Sequence, residues 1–300
     1  MSKGRWLRYV WLLWACLAGA QASEKLRVVA SFSILQDWVA EVGGEHITVQ
    51  ALVGPNSDAH VFQPTPDSVK QIQQADVVFA IGLQFETWMP RLLEASASEG
   101  AVIVLADHID YQHQRVERQG KFMPDPHVWH DIGFAKMAVA LIRDTLVAKD
   151  PRHKKDYEKR AKAYIGRLKK LEAWVREEIA YVPEIKRQVV TAHDAFGYFS
   201  RAYGVEFSAP QGISTETEPS AQQVAALIRE INEEGIRAVF IENMANANLV
   251  RQIADETGTD VLGKLYSDAL SNEDEPAPTY VQMMRHNVAT LVRGMHQNRG

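Results

Sequence analysis

The run Asp125-Pro126-His127-Val128-Trp129-His130-Asp131 sets two histidines three residues apart between two carboxylates. Imidazole and carboxylate are the side chains that hold a divalent cation where no thiolate is present, and a carboxylate on an imidazole's far nitrogen sets its tautomer. Other candidates stand singly: His60 in GPNSDAHVFQPTP, His193 in VVTAHDAFGYF and Asp268 in GKLYSDALS. A lone loop histidine is ordinarily just solvated. The chemistry therefore depends on which elements position these four.

Apolar runs at 26–32, 47–53, 77–81 and 102–105 read as short strands, with amphipathic helical stretches at 68–75 and 88–97 between them. The pattern returns later, with strands at 189–192, 205–208, 238–241 and 261–265 and helices at 195–202, 221–233 and 248–256. Such alternation predicts an α/β fold of two lobes, each a mainly parallel sheet flanked by helices. Between them, residues 150–182 carry Tyr157, Ala161, Ile165, Leu168, Leu171, Val175 and Ile179 at steps of three or four. That spacing predicts one helix of about 45 Å, longer than a crossover within one lobe requires. We expect an N-terminal lobe at 23–148, a joining helix at 149–182 and a C-terminal lobe at 183–300.

On this layout His60 follows the second strand, His127 precedes a helix starting near Ile132, and His193 and Asp268 each end a strand. Ligands of open parallel sheets gather beyond the carboxyl ends of the strands. Two candidates come from each lobe, so a shared cation would sit in the cleft between them. Three imidazoles and one carboxylate make a tetrahedral shell for a zinc-like ion, with bonds of about 2.0–2.2 Å. Spacing alone does not say that the four converge.

The chain opens MSKGRWLRYVWLLWACLAGAQA, where Lys3, Arg5 and Arg8 precede an apolar run that closes on Ala20-Gln21-Ala22. This reads as a secretory leader at residues 1–22, too short to span a bilayer, and no later run reaches the ~20 apolar residues of a membrane helix. The single cysteine, Cys16, lies in Leu13-Trp14-Ala15-Cys16, a weak match to a lipoprotein processing box. We expect cleavage after Ala22 and a periplasmic protein rather than a lipid-tethered one. No thiol then remains, and metal binding falls to His, Asp and Glu. Loss of the three leader cations takes the formal charge from -5 to -8, which gives no reason to expect nucleic acid.

Stretches across nearly the whole chain, namely ASFSIL, GPNSDAHVFQPTP, DVVFAIGLQFETWM, DPHVWHD, TAHDAFGYF, EPSAQQV, LYSDALS and TYVQMMRHNV, carry a family likeness. The chain resembles the metal-binding solute-binding proteins of ABC transporters, the cluster A-I family. The resemblance implies that His60, His127, His193 and Asp268 are the metal ligands and that one rigid helix joins two α/β lobes. It also implies a non-enzymatic, monomeric carrier that hands its cargo to an ABC permease driven by a cytoplasmic ATPase, with a periplasmic metallochaperone as an optional loader.

Family members that carry manganese or iron usually have Glu where this chain has His193, so Zn2+ is the expected cargo and Mn2+ the alternative. Many zinc carriers have a long His-rich loop, whereas here residues 107–124 hold only His108 and His113, an accessory pair at most. We expect His130 to be a helix-start residue in polar surroundings. Asp131 and Asp194 are candidates to orient a liganding histidine, with Asp125 a helix-start or acceptor residue and Glu242 either lining the cleft or structural. A zinc hydrolase would need an open coordination position, and neither His-Glu-x-x-His nor Gly-x-Ser-x-Gly occurs. No cell-wall anchor or repeat array supports adhesion. Because the imidazoles must be neutral to bind, affinity should fall below about pH 6.5.

Overall fold

Residues 25–118 and 121–299 are described by the computed structural model. The leader at 1–22, with Cys16, lies outside them. The N-terminal half alternates β1 (Leu26–Phe32), α1 (Ser33–Gly43), β2 (Ile47–Val53), α2 (Pro66–Gln74), β3 (Val77–Ala80), α3 (Met89–Ser96) and β4 (Ala101–Val104). A short α4 (Leu105–His108) and an antiparallel hairpin of β5 (Arg115–Arg118) and β6 (Lys121–Pro124) lead to α5 (Ile132–Lys149). The long α6 (Lys154–Ala180) comes next. The C-terminal half runs β7 (Gln188–Val190), α7 (Gly197–Tyr203), β8 (Glu206–Ser208), α8 (Ala221–Glu234), β9 (Val239–Glu242), α9 (Ala247–Thr257), β10 (Val261–Leu265) and α10 (Tyr280–Met295).

Both four-stranded sheets are parallel, in the orders β2-β1-β3-β4 and β10-β9-β7-β8. Each lobe therefore builds outward one way from its first strand and then crosses to the other flank. That reversal opens a crevice beside the carboxyl end of the first strand. The inner strands are apolar on both faces, as β1 and β3 show: Val28 to Phe32 and all of Val77 to Ala80 are buried.

The joining helix is shorter than its apolar spacing implied. Pro151 lacks an N–H and disfavours helical backbone before it, so α5 stops at Lys149 and a 3-10 turn at Pro151–His153 precedes α6. Its 27 residues span about 40 Å. Tyr157, Ala161, Tyr164, Leu168, Leu171, Val175 and Ile179 form the buried face, with Tyr164 inside and Ile165 only partly covered. The helix packs on α1 and α5 from one side and on α7 and α10 from the other. One continuous apolar cluster runs from Val28 through this helix to Met295, so the lobes share a core; a smaller one lies under α8 and α9.

Asp37 on α1 ties three helices together. One carboxylate oxygen accepts from the Tyr280 N–H at 3.1 Å and the Tyr164 hydroxyl at 3.3 Å. Burial pushes its carboxyl up to about 6 against the lowering effect of the Tyr280 N–H. The folded chain thus holds more protons than the unfolded one between about pH 4 and 6, and stability falls as pH rises through that window. Asp37→Asn keeps the acceptor and removes the charge. We expect it to raise the melting temperature of the chelator-treated protein by about 2–4 °C at pH 7.5 and to change it little at pH 4. A drop at pH 7.5 would contradict this assignment.

Candidate metal centre

Two of the three candidate histidines are held by the same local device. Asp58 and Asp125 each accept the N–H of the residue two further on, His60 and His127, at 2.9 Å. This side-chain turn fixes the backbone where each imidazole leaves the loop. Asp125 also takes His127 Nδ1–H at 2.7 Å, leaving Nε2 as the lone-pair nitrogen. Asp58 reaches across to the other lobe, where Thr215 donates to its second oxygen at 2.7 Å.

His193 leaves the carboxyl end of β7, beside the crevice of the second sheet. Glu242, ending the adjacent β9, accepts the Ala192 and His193 N–H groups at 2.8 and 2.9 Å through Oε1. Its Oε2 accepts His193 Nδ1–H and the Ser267 hydroxyl, both at 2.6 Å. Four donors on one buried carboxylate fix both the ring and the loop after β10. On the far side, Trp129 Nε1–H donates to Ser267 O at 2.8 Å and Tyr280 hydroxyl to Trp129 O at 2.6 Å. These bonds hold Asp268 opposite His127.

The loop after β3 supports His60 from behind. Gly82, Leu83 and Gln84 all take left-handed backbone, with φ of 87°, 54° and 65°. Glu86 offsets that strain by accepting the Ile81 and Gly82 N–H groups at 2.8 and 3.0 Å. The loop so formed sets Phe85 edge-on to His60 at 4.9 Å, and Phe85 packs on Trp129 and Phe32. An aromatic wall thus excludes water from one side of the site.

His60, His127, His193 and Asp268 meet. Their ligand atoms all lie within 4.8 Å of one another, and among the described residues no other group of three or more metal-competent side chains is so arranged. His193 Nε2, His60 Nε2 and His127 Nε2 approach the Asp268 carboxylate to 3.0, 3.4 and 3.7 Å, and the His60 and His127 Nε2 atoms are 3.4 Å apart. A tetrahedral shell with bonds near 2.1 Å has edges of about 3.4 Å. Despite these distances, His193 Nε2 and both Asp268 oxygens lack hydrogen bonds of acceptable angle. These buried polar atoms are left without the partners their burial calls for.

The carboxylates that hold His127 and His193 are Asp125 and Glu242, whereas Asp131, expected as a candidate for that role, is engaged elsewhere. Asp131 caps α5 through the Gly133 N–H at 2.6 Å and takes the Tyr111 hydroxyl at 2.5 Å. The Asp194 N–H donates to Gly212 O. His130 also departs from expectation. It is fully buried, neither ring nitrogen has a hydrogen bond of normal geometry, and its ring lies 4.4 Å from that of Phe196. Burial, then the charge of His127, pushes it down to about 3, so it stays neutral. His108 is exposed at the end of α4, while His113 packs edge-on to Tyr111 at 5.9 Å.

Burial disfavours charge on both His193 and Asp268, yet their neighbours outweigh it. Glu242 and Asp268 hold the His193 imidazolium well above the ordinary histidine range, and His193 and His127 hold Asp268 well below the usual carboxylate range. Without a cation, a proton on His193 balances the buried carboxylates. A cation held by these four would have to expel that proton, which would start the acid-side loss of affinity above the pH 6.5 expected for an unperturbed histidine. We expect about one proton released per zinc bound at pH 7, and affinity that keeps rising from pH 6 to 8, by calorimetry in buffers of different ionisation enthalpy. Zero proton release with flat affinity would contradict it.

Comparison with known proteins supports a family assignment. Residues 28–294 match the family described as zinc-uptake complex component A periplasmic, ZnuA. The manganese-binding lipoprotein MntA of Bacillus subtilis (strain 168) is 35% identical over 283 residues, covering 93% of this chain and 92% of the relative. The iron-binding protein YfeA of Yersinia pestis is 31% identical over 278 residues, covering 93% and 89%. The solved periplasmic zinc binding protein TroA from Treponema pallidum superposes with a TM-score of 0.85 at 32% identity, covering 90% of this chain and 99% of that one. A pair of parallel α/β lobes joined by a long helix, matched over nearly its full length, places this chain in the ZnuA family of metal-binding substrate-binding proteins of ABC transporters, which are carriers and not enzymes.

Proposed function

We infer that His60, His127, His193 and Asp268 bind the transported cation directly, and that zinc is the preferred cargo. The observation that carries this is the buried convergence of three imidazole nitrogens and one carboxylate at separations close to tetrahedral edges, with His193 Nε2 and both Asp268 oxygens left without a hydrogen bond. Three nitrogens and one carboxylate suit zinc better than manganese, which prefers more oxygen. Asp125 and Glu242 fix the orientation of two of the imidazoles and add negative charge behind them. The loaded protein then presents its cleft to the membrane permease, whose cytoplasmic ATPase drives import.

Manganese is the second reading. It is favoured by the names of relatives such as MntA of Bacillus subtilis, against the nitrogen-rich donor set seen here. Competitive titration of the metal-free protein with zinc and manganese separates the two. We expect one tight zinc equivalent in the wild type, its loss in His193→Ala, and about ten- to hundredfold weaker zinc in Glu242→Gln. Tight manganese with indifferent zinc would overturn the choice of cargo and leave the carrier role standing.

Placement outside the cytoplasm follows from the family role; the mode of attachment is a further proposal. Among the described residues no helix is long and apolar enough to cross a membrane. We propose cleavage after Ala22, although several relatives are named lipoproteins and Cys16 stands within the leader. Mass spectrometry of the native protein decides it. A mature chain starting at Ser23 is expected, and an acylated Cys16 at the N-terminus would replace that reading with a membrane tether.

A further inference from the structure

The long helix α6 has a second face that its role in the core does not explain. Residues 149–170 hold ten lysines and arginines against three acids, a net +7 in a chain whose total is -5, so all other residues together carry -12. Lys155, Lys159, Lys162, Lys169 and Lys170 are exposed. At about 100° per residue they fall within roughly a quarter to a third of the helix circumference, opposite the buried stripe from Tyr157 to Ile179. Their span is about 22 Å.

Ordinary helix stabilisation does not account for this stripe. None of the five lysines makes an ion pair among the described residues; on the same helix Lys154 pairs with Glu158, Arg167 with Glu41 and Arg176 with Glu172. Lysine near a helix N-terminus also opposes the helix dipole. The stripe is therefore a cost to the isolated helix, and the acidic remainder of the molecule gives it no internal partner.

Two further observations say what it faces. Lys25 and Arg27, near the first described residue, line one shallow hollow with Lys149 and Arg152, which lie just before α6, and with Asp76 and Asp150, which pair with the two arginines and leave the two lysines unpaired among the described residues. The described chain therefore enters the fold beside the N-terminal end of α6. The cavities that border the metal ligands share no residue with α6. A flat partner lying against α6 would leave the metal site uncovered.

We propose that the lysine stripe of α6 is an adsorption surface for an anionic phospholipid bilayer, which holds the protein flat on the outer face of the membrane while its metal site stays open to solution. The proposal rests on the extracytoplasmic placement above and not on the identity of the metal. A bilayer carrying phosphate headgroups matches an extended, unpaired row of ammonium groups in both sign and shape. The protein's net negative charge does not prevent this, because at about 0.1 M salt charges more than ~10 Å from the surface are screened.

The test is cosedimentation of the leader-free chain, residues 23–300, with phosphatidylcholine vesicles with and without phosphatidylglycerol. Among the described residues the buried apolar core lies between Val28 and Met295, and this chain retains all of it. Each lysine near an anionic surface strengthens adsorption about fivefold, so replacing all five by Gln should weaken binding to phosphatidylglycerol vesicles by a hundredfold or more. Replacement by Arg should preserve it, high salt should abolish it, and zinc affinity should be unchanged in both variants. Equal binding to neutral vesicles, no difference between the Gln variant and wild type, or binding to soluble polyanions such as heparin but not to vesicles would each overturn the proposal. Loss of zinc binding in His193→Ala with vesicle binding intact would separate this surface from the metal site.

Discussion

The structure is organised around one unfavourable group, the Asp268 carboxylate. It has no solvent exposure and no hydrogen bond of proper angle, and three imidazole nitrogens face it. A bare carboxylate in such a place is costly unless positive charge is supplied beside it. In the metal-free chain that charge is a proton on His193; in the loaded protein, on our proposal, it is a divalent cation. Glu242, Asp125, Trp129 and Ser267 share one task, which is to keep the four donors from turning away and satisfying themselves elsewhere. Proton and cation therefore compete for one prearranged gap.

Holding four donors from two lobes in that arrangement requires lobes that do not drift. The shared apolar cluster and α6 provide stiffness, and the Asp37 link between α1, α6 and α10 adds a polar joint at the same seam. Further bonds cross nearer the site, including Leu270 N–H to Ser33 Oγ and Asn243 to Asn56. Large hinge opening would break this continuous core. On our proposal exchange of cargo falls to local movement of loops, with the 60–64 segment lining the large cavity beside His60, about 1000 Å³ in volume.

Much of the fold was readable from periodicity. Strands at 26–32, 47–53 and 261–265 coincide with β1, β2 and β10, because short apolar runs flanked by loop residues have few other uses. The helix α1 escaped notice because its apolar residues continue directly from β1, and α10 because its buried face includes Asn287 and Thr290. Spacing placed His60, His193 and Asp268 after strand ends but did not show that they meet His127; the ligand set was implied by the family resemblance. Their supports were harder to see. The two Asp-x-His pairs, Asp58 with His60 and Asp125 with His127, are a local signal that chain spacing offers. Glu242 touches His193 only because β9 lies next to β7, a pairing that a sequence separation of 49 conceals. His130 misled for the opposite reason, since its aromatic pocket is built by Phe196 from the other lobe.

X-ray absorption at the metal edge of the protein purified with its native cargo addresses the central claim directly. The account predicts a single class of metal with about three imidazole nitrogens and carboxylate oxygen at about 2.0–2.2 Å, the imidazole scattering weakening in His193→Ala. A shell dominated by oxygen, with one imidazole or none, would contradict the assignment of His60, His127, His193 and Asp268 as the donors.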